Sequence, residues 1–182
     1  MDLYANPTIV GEWVTLRGYT DDDVALVASV VDDPLIPLIT TVPPGGDGHA
    51  ILEYIERQRS RASNGEGFQF VIVDNASGDS VGQVGLTFRE PARARASAGY
   101  WIAPQHRRRG YAADALREVS RWAIQDLSVQ RLELYVEPQN EGSIRTAEKA
   151  GYLREALLRS WMRVGSARVD MYMYALLGEG HR

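Results

Sequence analysis

The residues best suited to chemistry in this 182-residue chain fall in one run, Tyr100 to Ala113, YWIAPQHRRRGYAA. The run opens as the end of an apolar strand, which Pro104 stops because proline has no N–H to pair. Arg107, Arg108 and Arg109 follow, then Gly110, and from there the pattern is that of an amphipathic helix. Strand end, basic loop and helix N-terminus together suit a phosphate-bearing ligand. First-turn N–H groups lack partners, and the helix dipole favours negative charge there. Gly110 lets the backbone approach such a ligand, and the three guanidinium groups can form forked hydrogen bonds to phosphate oxygens. The plainer alternative is a solvated basic turn that caps a strand. A second pair lies further on. Asn140 stands where it would cap a short helix, and Ser143, three residues later, shares its face.

Other reactive side chains are less organised. Glu90, Glu133 and Glu137 could each take a proton, but carboxylates in such settings more often face solvent, so no general base is assigned. His49, His106 and His181 do not pair at metal-ligand spacing, and the chain has no cysteine. No metal site, disulfide frame or cysteine nucleophile is therefore expected. With an apolar content of 45% and a formal net charge of −4, the chain can build one sizeable core. It lacks the broad basic face that nucleic-acid binding needs, although Arg93, Arg95 and Arg107 to Arg109 keep that reading in view. The opening residues do not resemble a signal peptide, and no apolar run reaches the ~20 residues of a membrane span. No membrane association and a cytoplasmic location are the expectation.

The elements that must position these residues follow from periodicity. A first strand is predicted over 9–19. A helix then starts at the Asp21-Asp22 caps, with Val24, Val27 and Val31 on one face, and ends at Asp33-Pro34. Residues 35–48, LIPLITTVPPGGDG, read as a long loop of the kind that shapes binding sites. A second helix is predicted over 49–64, with Ile51, Leu52 and Ile55 inward. Strands at 68–74 and 81–88 form a hairpin, and a fourth strand at 93–102 carries Gly99, where a bulge or close backbone approach is expected. Ala112, Ala115, Leu116, Val119, Trp122 and Ala123 make a core-facing stripe on the next helix. A strand over 132–136, a short helix from Asn140 to Gly151, and strands at 152–158 and 168–176 complete the order. Tyr172 and Tyr174 alternate with Met171 and Met173 on the last strand, either as sheet packing or as a wall of a site. One domain with a core over about 9–177 follows.

Three motifs carry a resemblance. Arg107-Arg108-Arg109-Gly110-Tyr111-Ala112 resembles the Gln/Arg-x-x-Gly-x-Gly/Ala loop of the GNAT N-acetyltransferases. Asn140-Glu141-Gly142-Ser143 with Glu148-Lys149-Ala150-Gly151-Tyr152 is similar to the family's Asn-x-x-Ser and Glu-Lys-x-Gly-Phe/Tyr pair. Gly99-Tyr100-Trp101-Ile102, with Pro104, resembles a run in the subgroup of ribosomal-protein serine and alanine N-acetyltransferases. The predicted order β-α-α-β-β-β-α-β-α-β-β is that of the family. The resemblance thus implies an α/β (α+β) single-domain fold with a mixed, mostly antiparallel sheet of about seven strands flanked by four helices.

The same resemblance implies an N-acyltransferase that moves an acetyl group from acetyl-CoA to a primary amine, without a metal. The loop amides of Arg108 to Ala113 would cradle the CoA pyrophosphate. Ile102 would polarise the thioester carbonyl through its backbone N–H, with Trp101 beside it as core or as pocket wall. Asn140 would bond the pantetheine arm, and Ser143 would serve as acid or stabilise the thiolate. The tyrosine acid of many relatives is replaced here by Ala147, and the strand positions where some relatives carry a glutamate are Ser97 and Tyr135. Arg145 and Lys149 would reach CoA phosphates or simply be solvated. The acceptor, a protein N-terminus or a small-molecule amine, stays open. So do a larger acyl group such as succinyl, an acyl-CoA sensor without turnover, and assembly as a homodimer.

Overall fold

Side-chain alternation gives the central strands two apolar faces. In the computed structural model, which describes residues 6–89 and 94–178, strand Gly67–Asp74 sends Phe68, Phe70 and Ile72 to one side. Val71 goes to the other side, and two separate cores result. Glu90, Arg93 and His181 lie outside the described residues.

The strands are β1 (Ile9–Val10), β2 (Val14–Arg17), β3 (Gly67–Asp74), β4 (Ser80–Phe88), β5 (Arg95–Ile102), β6 (Arg131–Val136), β7 (Leu153–Val164) and β8 (Ala167–Leu177). They form one sheet in the order β1-β2-β3-β4-β5-β6-β8-β7. Among the described residues every strand pairing is antiparallel except that of β5 with β6. The helices are α1 (Val24–Ala28), α2 (Ile36–Ile39), α3 (Gly48–Ser60), α4 (Tyr111–Gln125) and α5 (Glu141–Lys149). Residues of α1, α2 and α3 pack on one face with Tyr19, Val71 and Trp101. Those of α4 and α5 pack on the other, where Trp122 meets Phe68 and Phe70 edge-to-face at 4.9 and 5.6 Å.

The mixed, mostly antiparallel fold expected from the sequence is the fold observed, with eight strands where about seven were expected and five helices where four were. The first strand breaks at Gly11, whose N–H donates to the Val14 carbonyl at 2.8 Å, so it becomes the β1–β2 hairpin. The 35–48 segment holds the short α2. On α3 the buried stripe is Ile51, Tyr54, Ile55 and Gln58, whereas Leu52 is 46% exposed. Tyr54 and Gln58 continue the i, i+3, i+4, i+7 spacing from Ile51, and Leu52 falls off it. No bulge occurs at Gly99: β4 and β5 stay in register from Gly82↔Ile102 to Phe88↔Ala96, and Gly99 pairs with Gly85.

Candidate active site

The parallel pairing of β5 with β6 runs from Arg95↔Arg131 to Ser97↔Glu133 and stops there, although β5 continues to Ile102 and β6 to Val136. The two strands therefore part, leaving one edge of β5 unpaired. Which amides line that edge follows from alternation. Ala103 donates to Val81 on β4 at 3.0 Å, so Trp101 and Gly99 also turn their N–H groups toward β4. Tyr100 and Ile102 consequently turn theirs into the gap. Arg107 closes one end, its Nε donating to the Ile102 carbonyl at 3.0 Å.

At the end of β5 the chain makes a one-turn helix, Pro104–His106, and enters the arginine loop. Arg108 has φ +64° and Gly110 φ +89°, so two left-handed residues flank Arg109. Such alternation turns successive N–H groups toward one concavity. Ala113 and Asp114 donate to the Gly110 carbonyl at 3.0 and 3.1 Å. The amides of residues 108–112 have no backbone acceptor among the described residues. A Cβ on Gly110 would touch nothing within 4 Å, so its positive φ, rather than crowding by protein atoms, is what calls for glycine.

The three arginines differ in role. Arg107 is committed to the protein: besides the Ile102 carbonyl, it donates to Asp33 Oδ2 at 2.6 Å. The Asp33 side chain is only 3% exposed, and its Oδ1 accepts from the N–H groups of Leu35 and Ile36, both at 2.9 Å. Burial pushes the Asp33 carboxyl up, but these bonds and the Arg107 charge outweigh it and hold it below its ordinary range. Arg107 thus ties the loop to the start of α2 through Nε and Nη2, while it also lines the cavity described below and keeps Nη1 as a donor. Arg108 and Arg109 are exposed. Tyr111 is buried and donates to Asp74 Oδ2 at 2.7 Å, so its side chain is core and only its amide faces the loop. Ala113 is buried and Ala112 half-buried.

Loop, β5 end and α5 enclose a cavity of about 470 Å³. Ile102, Arg107 to Ala113, Asn140, Ser143, Arg145 and Lys149 line it. A second cavity of about 290 Å³ lies over the sheet between β5, β6 and α3. The two share Ile39, Tyr100, Trp101, Asn140 and Ser143. Asn140 caps α5, its Oδ1 accepting from Ser143 N at 3.0 Å, which leaves its Nδ2 for another acceptor. Trp101 is both core and wall: 4% exposed in the α1–α3 core, it also lines both cavities. Tyr100 went unassigned in the sequence beyond its motif. Its hydroxyl is buried without a hydrogen-bond partner among the described residues, and burial raises its pKa while neighbouring Ser143 and Thr146 oppose the rise. Burial thus favours the neutral phenol.

The sheet-side cavity has a polar floor. Tyr19 and Tyr54 both donate to Gln83 Oε1, and Gln83 Nε2 donates to Gln69 Oε1 at 2.9 Å. Gly85 makes room for this network, since a Cβ there would fall 1.9 Å from Gln69 Oε1. A Cβ on Gly99 would instead enter open space in the cavity. Met171 lines this cavity, while Tyr172 and Tyr174 pack on the α4 core, so the strand's sulfur-bearing face is the wall.

Glu133 is buried with both oxygens engaged. Arg131 Nε and the Tyr135 hydroxyl donate to it at 2.8 Å each. Burial pushes its carboxyl up, but these bonds and the Arg95 charge leave it below its ordinary range, which suits a structural ion pair and not a base. Glu137 lines the sheet-side cavity, the one carboxylate to do so among the described residues.

The chain's likeness to known proteins agrees with this geometry. Residues 14–153 match the model of the acetyltransferase (GNAT) domain. An uncharacterized N-acetyltransferase of Bacillus licheniformis, p20, is 25% identical over 170 residues, covering 93% of this chain and 96% of that protein. The Mycobacterium smegmatis RimJ structure in complex with CoA-disulfide superposes with a TM-score of 0.82 at 25% identity, over 98% of this chain and 91% of that one. RimL, a ribosomal L7/L12 alpha-N-protein acetyltransferase solved with coenzyme A, does so with a TM-score of 0.82 at 16% identity, over 96% and 100%.

Proposed function

The chain belongs to the GNAT acetyltransferase family and is an acetyl-CoA-dependent N-acetyltransferase, and from that premise we propose that it acetylates a primary amine of a peptide N-terminus by direct attack in a ternary complex. The observation that carries this reading is the meeting of the two cavities at Tyr100, Trp101, Asn140 and Ser143. The loop-side cavity takes the donor. Its free amides at 108–112 suit the pyrophosphate, and Arg108, Arg109, Arg145 and Lys149 supply positive charge around it. The gap beside β5 takes the pantetheine arm, bonded by the Tyr100 N–H and the Asn140 Nδ2, with the Ile102 N–H directed at the thioester carbonyl.

The sheet-side cavity takes the amine. The acceptor nitrogen attacks the carbonyl carbon, a C–N bond forms, and collapse of the tetrahedral intermediate breaks the C–S bond. Negative charge grows on oxygen near Ile102 and then on sulfur near Ser143 and Tyr100. Those hydroxyls stabilise the leaving thiolate, and one of them supplies its proton. The amine's proton leaves toward Glu137, directly or through water. An N-terminal acceptor is favoured because the cavity is an open trough floored by Gly85 and Gly99, which accommodates an extended backbone, and because RimL is named for alpha-N-protein acetylation.

The test is acetyl-CoA-dependent thiol release with a panel of peptides and small amines, run alongside calorimetric binding of acetyl-CoA. Gly99→Leu should retain acetyl-CoA binding and lose at least tenfold in turnover, because its side chain fills the acceptor trough. Undiminished turnover in that variant would show that the acceptor enters elsewhere.

A further inference from the structure

The far end of the acceptor trough is cationic in a way the acetyl transfer itself does not require. Arg61, just beyond α3, donates from Nη2 to Thr87 Oγ1 at 3.3 Å, and Arg89, just beyond β4, donates from Nε to Ser97 Oγ at 3.0 Å. Thr87 and Ser97 are cross-strand partners, so two guanidinium groups from different elements converge on one rung of the sheet. Both arginines line the cavity. Arg61 Nε is buried without a hydrogen bond; Glu66, which does not line the cavity, stands 3.9 Å away. Glu66 offsets Arg61 from outside the cavity, and Glu133, the partner of Ser97 on β6, is taken up by Arg131 and Tyr135, so an anion entering the trough meets two guanidinium groups on its wall.

Position gives the length of the ligand. From Ser97 to Trp101, where the cavities meet, is four residues, or about 14 Å of extended strand. The rung between them is Gly85↔Gly99, which presents no side chain to block the path. Glu137, the cavity's one carboxylate among the described residues, is not at this rung but beyond β6, three residues before Asn140. The trough therefore has an acidic group near the reaction point and a cationic far end.

We propose that Arg61 and Arg89 select an acceptor that is anionic about 14 Å from its reacting amine: a peptide N-terminus whose fourth and fifth residues are acidic. A peptide extends about 3.4 Å per residue, so its fourth and fifth residues stand about 10 and 14 Å beyond the first, and their side-chain carboxylates reach the Thr87–Ser97 rung. The inference rests on the proposed acetyl transfer and deepens it.

The experiment compares three pentapeptide amides with this protein, Ala-Asn-Gln-Glu-Glu, Ala-Asn-Gln-Gln-Gln and Ala-Asn-Gln-Lys-Lys, by thiol release. The acidic peptide should show a kcat/KM about tenfold or more above the neutral one, with the basic peptide lowest. Arg89→Gln, at an exposed residue, should raise KM for the acidic peptide about tenfold while leaving kcat and acetyl-CoA affinity unchanged. Arg61→Gln should do the same, and Arg89→Glu should reverse the order of the acidic and basic peptides. Equal turnover of all three peptides, a preference for the neutral or basic one, or turnover of none of them despite acetyl-CoA binding would overturn the inference. Failure to bind acetyl-CoA would instead overturn the proposed donor site, and this inference with it.

Discussion

Ser143 illustrates how little a residue type says without its surroundings. A serine hydroxyl is a weak acid, and its value lies in position: it faces both cavities from the first turn of α5, next to the unpartnered Tyr100 hydroxyl. Ser143→Ala should lower kcat about tenfold or more with acetyl-CoA affinity nearly unchanged, as seen by steady-state thiol release beside calorimetry. An unaltered rate would leave Tyr100 as the proton donor. Glu137→Gln, assayed the same way, should cost about a hundredfold if that carboxylate takes the amine's proton. Glu133 shows the opposite lesson, because its three cationic and phenolic neighbours hold it charged and occupied.

At the scale of elements, the loop between β5 and α4 works through backbone, and its side chains mostly hold it in place. Arg107 belongs to this scaffold, joining the Ile102 carbonyl to Asp33, 74 residues away in sequence. Gly110→Val should abolish acetyl-CoA binding by forcing a β-branched residue to φ +89° at the mouth of the donor site. The fold should survive, since the added Cβ meets no protein atom within 4 Å. Calorimetry with circular dichroism separates the two effects. A variant that binds acetyl-CoA with wild-type affinity would remove the loop from the donor site.

For the whole molecule, the α1–α3 layer is joined to the sheet by a buried ion pair. Asp23, 1% exposed, accepts from Arg17 Nη1 and Nη2 at 2.7 Å each, from Thr20 N at 2.8 Å and from Ser80 Oγ at 3.1 Å. Burial raises its pKa, yet the Arg17 bonds and the other donors outweigh this and set it below the ordinary 3.8. A carboxyl depressed on folding contributes stability above its unfolded pKa and loses it as pH falls through the folded value. Asp23→Asn should therefore destabilise by about 2 kcal/mol at pH 7. That difference should shrink in denaturant melts as pH falls below 3.8. A pH-independent difference would mean that packing, and not charge, is what the substitution disturbs.

What the sequence determined by itself was local. The alternation of Phe68, Phe70 and Ile72, the cap at Asn140, the glycine before α4 and the order of elements all follow from neighbours a few residues apart, where backbone sterics and side-chain periodicity act. The family's motifs are local in the same sense, which is why the fold was legible while Gly11 and α2, both breaks within predicted segments, were not. Tertiary structure decided everything that needs distant residues to meet. It committed Arg107 to Asp33, turned Glu133 into an ion-pair partner, and parted β5 from β6 after Ser97. It also brought Arg61 and Arg89 to one rung of the sheet. Such juxtapositions depend on sheet register and on the packing of α3 across it, and no short-range pattern in the chain records either.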